Sequence, residues 1–328
     1  CGEGYFIDCR GIHLFDDRKI PVINIVVDHP FYYHKFLPFL PKDYCQISID
    51  REHEAYLQYY FPEIKRGLFL PLAGTSLWED DTLPKWEERP YDVVFTGNYT
   101  PLSKFEPTIE RHGKEYADFY YGIIEDFKKH PHLGMDIGIR EHLLSEVEDI
   151  TEDGVKEMMP NMIMIDLYVR NYFRGKVVQT LVDAGVSVHC FGAGWEFLPC
   201  EHPENLIKEG GVDSLACLQA LSKAKVSLNV MPWFKDGAHD RVFNSMLNGA
   251  VCFTDWSRYL TENLRDGEDI FFYELDALEC LPDMVQGILE NRKKWEHMQK
   301  AAYETAEKSH TWEHRAGAVH KEILSKIR

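Results

Sequence analysis

Lys235-Asp236-Gly237-Ala238-His239-Asp240-Arg241 gathers cations, carboxylates, an imidazole and a glycine into one short turn. Directly after it, Val242, Phe243, Met246 and Leu247 recur at helical spacing, and Gly249 closes the run before the apolar stretch "AVCFTD" at 250–255. A helix beginning near Arg241 would present unpaired N–H groups and the positive end of its dipole to the turn. Such an end suits a diphosphate. Lys235, His239 and Arg241 would add charge-assisted hydrogen bonds, each about 1.5–3 kcal/mol where water is excluded. Gly237-Ala238 would let a ligand approach the main chain closely. The same residues admit a purely structural reading: Asp240 as the helix N-cap, Arg241 as a solvated charge and Gly249 as the C-cap.

The strands that must position this turn are "KVSLNVMP" (225–232) and "AVCFTD". If they lie side by side and parallel, the right-handed crossover makes 241–248 the connecting helix and sets loop 233–240 at the carboxyl edge of the sheet, where α/β proteins bind ligands. Arg241, Asn244, Ser245 and Asn248 then form the polar helix face. Further apolar runs, "YDVVFTGNYTP" (91–101), "VSVHCFGAGWEF" (186–197) and "DIFFYE" (269–274), are separated by helix-length segments, the rhythm of a doubly wound parallel sheet. Upstream, strands are expected at 20–27, in "YCQISID" and at 67–74, and the acidic, proline-marked stretch 75–90 reads as an interdomain linker. The expected class is α/β with two Rossmann-like domains, 1–74 and 91–305, followed by a C-terminal helix at 306–328 that crosses back to the first. Residues 1–74 supply fewer strands than a full domain needs, so a portion preceding Cys1 is expected to complete it.

At 328 residues and a formal net charge of -18, the chain lacks the basic field that grips nucleic acid without sequence preference. No apolar run approaches the ~20 residues of a membrane span. The eight cysteines (1, 9, 45, 190, 200, 217, 252, 280) contain no C-x-x-C pair, and read as reduced thiols of a cytoplasmic protein rather than as a zinc site or disulfide framework. "WEDDT" (78–82) reads as a solvated acidic run rather than a metal site.

A second constellation follows the first strand, in "VVDHPFYYH". A histidine of near-neutral pKa beside a carboxylate, His29 after Asp28, could accept a hydroxyl proton; equally, His29 could cap the turn before Pro30. Asp50 ends the next strand, where a helix N-cap is the simpler role.

The stretch "HDRVFNSMLNGAVCFTDWSRYLTENLRDGEDIFFYE" resembles the C-terminal half of GT-B-fold glycosyltransferases, specifically the CgeB-like, spore-maturation branch related to family 4 (group 1). "YDVVFTGNYTP" is similar to that family's first C-domain strand and glycine turn, "LSKAKVSLNVMP" to the strand before the donor loop, and "FLPLAGT" to the last N-domain strand. The resemblance covers roughly 20–320 and is strongest from 220 to 275. It implies a nucleotide diphospho-sugar donor held mostly by the C-terminal domain, with Gly97 and Asn98 near the phosphates and the loop "EGGVDSL", centred on Gly211 and Val212, holding the base. Arg241 and the amides of 237–240 would take the diphosphate. Where the wider family has two glutamates eight positions apart, this chain has Asp236 and Asn244, so a ribose hydrogen bond from Asn244 fits but a pair of ionised acids does not.

The expectation is therefore a glycosyltransferase, retaining and metal-independent, with no cofactor beyond its nucleotide-sugar co-substrate and an acceptor hydroxyl on a glycan, protein or small molecule. A catalytically silent module of the same fold, binding a nucleotide-sugar or a partner protein, and a nucleotide-sugar epimerase are the alternatives.

Overall fold

The computed structural model describes residues 14–78 and 82–327, with side chains described as far as 323. Cys1, Cys9 and the Asp80-Asp81 pair lie outside the described residues. Two compact units emerge: one takes the chain up to Pro71, Gly134–Ile163 and the segment from Gly317; the other takes Leu72–Leu133 and Met164–Ala316.

In the first unit, β1 (Val22–Val26), β2 (Tyr44–Ser48) and β3 (Lys65–Phe69) pair in parallel in that order. The central β2 is buried along its whole length, as a strand covered on both faces must be. The third strand begins two residues earlier than its apolar run, at Lys65-Arg66, because an edge strand tolerates polar residues that a central one would not. Asp50 caps helix Arg51–Tyr60, accepting a hydrogen bond from the Glu52 amide at 2.8 Å. That helix buries Tyr56, Leu57 and Tyr60. Residues 134–163, which the sequence groups with the C-terminal domain, pack within this unit instead.

The second unit is built on β4 (Tyr91–Thr96), β5 (Val188–Phe191), β6 (Leu206–Gly210), β7 (Ala224–Asn229), β8 (Val251–Asp255) and β9 (Phe271–Tyr273). All pairings are parallel, in the order β6-β5-β4-β7-β8-β9. This is the doubly wound order in which the chain starts at the centre, winds one way, then returns to wind the other. Apolar residues of the middle strands, among them Val93, Phe95, Val226, Leu228 and Phe253, form the core. The strand that sequence patterning missed is β6: it is an edge strand whose burial is lost after Leu206, so "LIKEG" carries almost no apolar signal.

Arg89, 2% exposed, donates to the carbonyls of Pro84, Leu221, Ala224 and Asn248, which anchors the stretch before β4 to two helix ends. The C-terminal tail forms three helices, Leu281–Leu289, Arg292–Ser309 and Trp312–Ile327, the second opened by Asn291 as its N-cap two residues after the first ends. All described cysteines are free. Among the described residues, no helix is long and apolar enough to cross a membrane.

Candidate active site

The order of the second sheet reverses between β4 and β7, and the crevice at the carboxyl ends of those strands is where this topology leaves room for a ligand. A cavity of about 390 Å³ lies there, lined by Thr96, Gly97 and Asn98 at the end of β4, Phe191 and Gly192 at the end of β5, and His239, Asp240, Arg241 and Asn244 of helix Asp240–Leu247 and its cap. Val212, Ser214 and Cys217 form another wall, and Thr75 and Trp312 complete it. That volume lies in the range of small-molecule sites.

Two backbone turns cross at its floor. Gly97 takes φ +151°, and a Cβ on Gly192 would stand 2.1 Å from the Gly97 oxygen, so glycine alone permits the crossing. The Gly97 N–H donates to the Phe191 carbonyl at 2.8 Å, the Ala193 N–H to Asn98 Oδ1 at 2.9 Å and the Trp195 indole to the Gly97 oxygen at 2.8 Å. These bonds fix the turn before any ligand arrives.

Arg241, the second residue of helix Asp240–Leu247, lies beside this turn. Its Nη2 lies 3.0 Å from His239 Nε2, its guanidinium carbon 5.6 Å from the centre of the Phe95 ring, and its Nη1 is buried without a hydrogen-bond partner. A Cβ on Gly97 would stand 3.7 Å from that nitrogen. Burial pulls the Arg241 guanidinium below its ordinary value, against the attraction of Asp240 and Asp255. An anion between the glycine turn and the helix would supply the missing acceptor.

The tautomer of His239 follows from its neighbours. Burial, reinforced by Arg241, lowers its pKa to about 4, so the imidazole is neutral. Arginine can only donate, which makes Nε2 the acceptor and leaves the proton on Nδ1, 2.5 Å from Asp240 Oδ1. The Arg241 amide stays within the cap, 3.3 Å from His239 Nδ1 and hydrogen-bonded to the Asp240 carboxylate. Burial works to raise the pKa of Asp240, but the bond from His239 and the charge of Arg241 hold it below the usual carboxylate range.

Other wall residues are held by asparagine bridges. The Thr75 N–H donates to Asn244 Oδ1 at 2.8 Å, and Asn244 Nδ2 donates to Asp240 at 3.2 Å. One turn later, Asn248 accepts from the Leu77 amide at 3.0 Å and donates to the Thr75 carbonyl at 2.8 Å.

Of the residues singled out in the sequence, Gly97, Asn98, Val212, His239, Asp240, Arg241 and Asn244 meet in this cavity. Lys235, Asp236, Gly237, Ala238 and Gly211 are not among its lining. The turn 235–238 is pinned instead against the start of helix Arg258–Asn263: the Arg258 amide donates to the Lys235 carbonyl at 2.8 Å and the Ser257 hydroxyl to the Gly237 carbonyl at 2.5 Å. Asp236, 4% exposed, is consequently paired with Arg258 at 3.2 Å, and Lys235 lines a separate small crevice with His132, Trp256 and Glu274. Lys235 and the Gly237-Ala238 amides, expected to grip a diphosphate, thus lie outside the lining of this cavity. The helix cap is His239, not Asp240, which is the first helical residue.

In the first unit, Asp28 is exposed and accepts from the Tyr33 hydroxyl at 3.0 Å. His29 caps the turn Pro30–Tyr33, its Nδ1 accepting from the Phe31 amide at 3.1 Å, while Nε2 lies 4.0 Å from Asp136. This is the turn-capping alternative.

Sequence reasoning missed two arginines, Arg170 and Arg174. They stand four residues apart on helix Ile163–Asp183, one turn after Asp166, and the D-x-x-x-R-x-x-x-R spacing was the available signal. Arg170 is bound to both Asp166 oxygens at 2.9 Å.

Residues 174–321 match the glycosyl transferase-like family model. That segment, a little under half the chain, takes in β5 to β9 and helix Asp240–Leu247. Among curated proteins, none matches the chain. Among solved structures, it is similar to sucrose-phosphate synthase from Thermosynechococcus elongatus, at 12% identity over 93% of this chain and 68% of that one, with a TM-score of 0.50. It is also similar to T4 phage BGT in complex with its UDP-glucose substrate (13% identity, 93% and 72% coverage, TM-score 0.49) and to the GtfA/B complex (10%, 96% and 54%, 0.49). The chain spans about half the length of the latter, 54%. At such identities the likeness is one of fold: an α/β fold of the GT-B kind, with parallel sheets.

Proposed function

We propose that this chain is a glycosyltransferase that moves a sugar from a nucleotide diphospho-sugar to a hydroxyl acceptor. The observation that carries the reading is Arg241: a buried guanidinium nitrogen without a partner, beside the Gly97 turn, in the cavity at the switch point of the sheet. As the bond between the sugar and the diphosphate breaks, negative charge grows on the leaving phosphate. Arg241 is a donor already in place for that charge, so little reorganisation is needed. The reading continues as a retaining, metal-independent transfer in which the departing phosphate takes the acceptor proton, on the CgeB-like branch and in the cytoplasm. Asn244 bonds a ribose hydroxyl, and Val212 and Ser214 hold the base. An epimerase would need an acid and a base flanking the sugar, and among the described residues Asp240 is the one carboxylate that lines the cavity. A catalytically silent nucleotide-sugar module is the second reading, favoured by the pairing of Asp236 with Arg258.

The test is thermal unfolding of the full chain with UDP, GDP and TDP, followed by donor turnover. A nucleotide at ~100 times its dissociation constant should add about 2.7 kcal/mol. Arg241→Ala should weaken binding roughly 10- to 100-fold, the loss of one charge-assisted contact. If no nucleotide shifts the melt, both readings fail; binding without turnover of any donor leaves the silent module.

A further inference from the structure

Three ligand-bearing side chains meet beside β9, at the edge of the second sheet, and none of them lines the cavity. His132 stands in the turn after helix Lys114–Lys129, while Glu274 and Asp276 follow directly on β9. One donor atom from each closes a triangle whose corners lie within 4.8 Å of one another. His132 Nε2 is 3.5 Å from Glu274 Oε2 and 3.7 Å from Asp276 Oδ2. Ligands about 2.0–2.2 Å from a tetrahedral ion stand roughly 3.3–3.6 Å apart, so little adjustment separates these edges from those of a coordination shell. The triangle is also held from outside. The Trp256 indole N–H donates to Glu274 Oε2 at 2.9 Å, the His132 ring stacks on Trp256 with centroids 5.3 Å apart, and Lys235 donates to the carbonyl of Pro131, next to His132. Outer partners of this kind orient metal ligands.

Charge points the same way. Among the described residues, His132 is the one basic side chain within ion-pair reach of either carboxylate. Asp255, 5% exposed, lines the crevice that His132, Trp256 and Glu274 share; its Oδ1 accepts from the Met231 amide at 2.7 Å, and no described side chain donates to it. Carboxylates gathered in this way are normally matched by a cation. Lys235 is the one ammonium lining the crevice.

We propose that His132, Glu274 and Asp276 bind a divalent first-row transition ion of the zinc type, with water completing the shell on the exposed side. One imidazole and two carboxylate oxygens suit zinc or cobalt better than magnesium or calcium, which take oxygen ligands. The two carboxylates balance the charge of the ion. Bound there, the ion ties the turn after helix Lys114–Lys129 to the end of β9, both within the second unit. It takes no part in the transfer proposed above, and the inference is independent of that reading.

The full chain, stripped with EDTA and dialysed, is titrated with zinc chloride and, for a spectroscopic signature, with cobalt(II). Zinc should bind specifically and raise the melting temperature, and cobalt should develop the visible absorption of a low-coordinate site. His132→Gln and Asp276→Asn should each weaken zinc about 100-fold or more, and Trp256→Phe, which removes only the outer bond to Glu274, about tenfold. Because His132 and Asp276 are exposed, their variants should melt near the wild-type temperature without metal, which shows that they fold. Zinc binding that both ligand variants retain at wild-type strength would belong to other histidines or cysteines and would overturn the proposal, as would magnesium binding as tight as zinc. A wild-type chain that binds no zinc would overturn it too, and would leave the three side chains as a histidinium ion pair.

Discussion

Replacing Gly192 by alanine puts the crossing at the cavity floor to the sharpest test. An added Cβ would lie 2.1 Å from the Gly97 oxygen, 2.5 Å from its carbonyl carbon and 2.9 Å from the Asn98 nitrogen, all of them main-chain atoms that cannot rotate away. Ordinary contact starts near 3.4 Å, so one turn must retreat from the other by more than an ångström. That movement breaks the bonds from Trp195 to Gly97 and from Ala193 to Asn98. At about 1 kcal/mol for each of the two bonds and about 1–3 kcal/mol for overpacking, the expected destabilisation is roughly 3–5 kcal/mol. For a unit of this size the melting temperature should fall by roughly 6–20 °C. UDP affinity should fall with it, because the displaced turn is the one that lines the cavity. Gly211→Ala is the matched control: its Cβ would meet nothing within 4 Å, and it should be silent in both measurements. Calorimetric unfolding and nucleotide titration of the two variants provide the readout. A Gly192→Ala protein with wild-type stability and wild-type affinity would show that the two turns do not cross as described.

Asn248→Ala removes the side chain that binds Thr75 and Leu77 and leaves those backbone groups without it; a loss of about 2–3 kcal/mol in urea unfolding is expected, with a weaker effect on UDP binding. Asp255, buried with the Met231 amide on its Oδ1, has its pKa raised to about 7 by burial. Between the unfolded value near 4 and about 7, the native state holds a proton that the unfolded state has lost, so this residue makes stability fall as pH rises through that window. Asp255→Asn should therefore raise the melting temperature more at pH 8 than at pH 5; an equal change at both values would contradict the burial assigned to it.

The sequence by itself determined the local elements and one end of the site. Helix Asp240–Leu247 was legible because its apolar residues repeat at helical spacing and glycine follows, and both facts depend only on near neighbours. The central strands were legible for the same reason: strands buried on both faces must be apolar throughout. The edge strand β6 was not, since a strand with one neighbour and an exposed face carries no such demand. Which side chains converge was decided by the tertiary structure alone. Lys235 and Asp236 precede Arg241 by only a few residues, yet bonds from Ser257 and Arg258 turn them out of the cavity. Arg174, distant in sequence, reaches the Asn98 carbonyl only because the fold returns helix Ile163–Asp183 to the turn after β4. Periodicity reports the face a residue occupies on its own element; which elements meet at that face depends on the order of strands in the sheet, and no local pattern encodes that order.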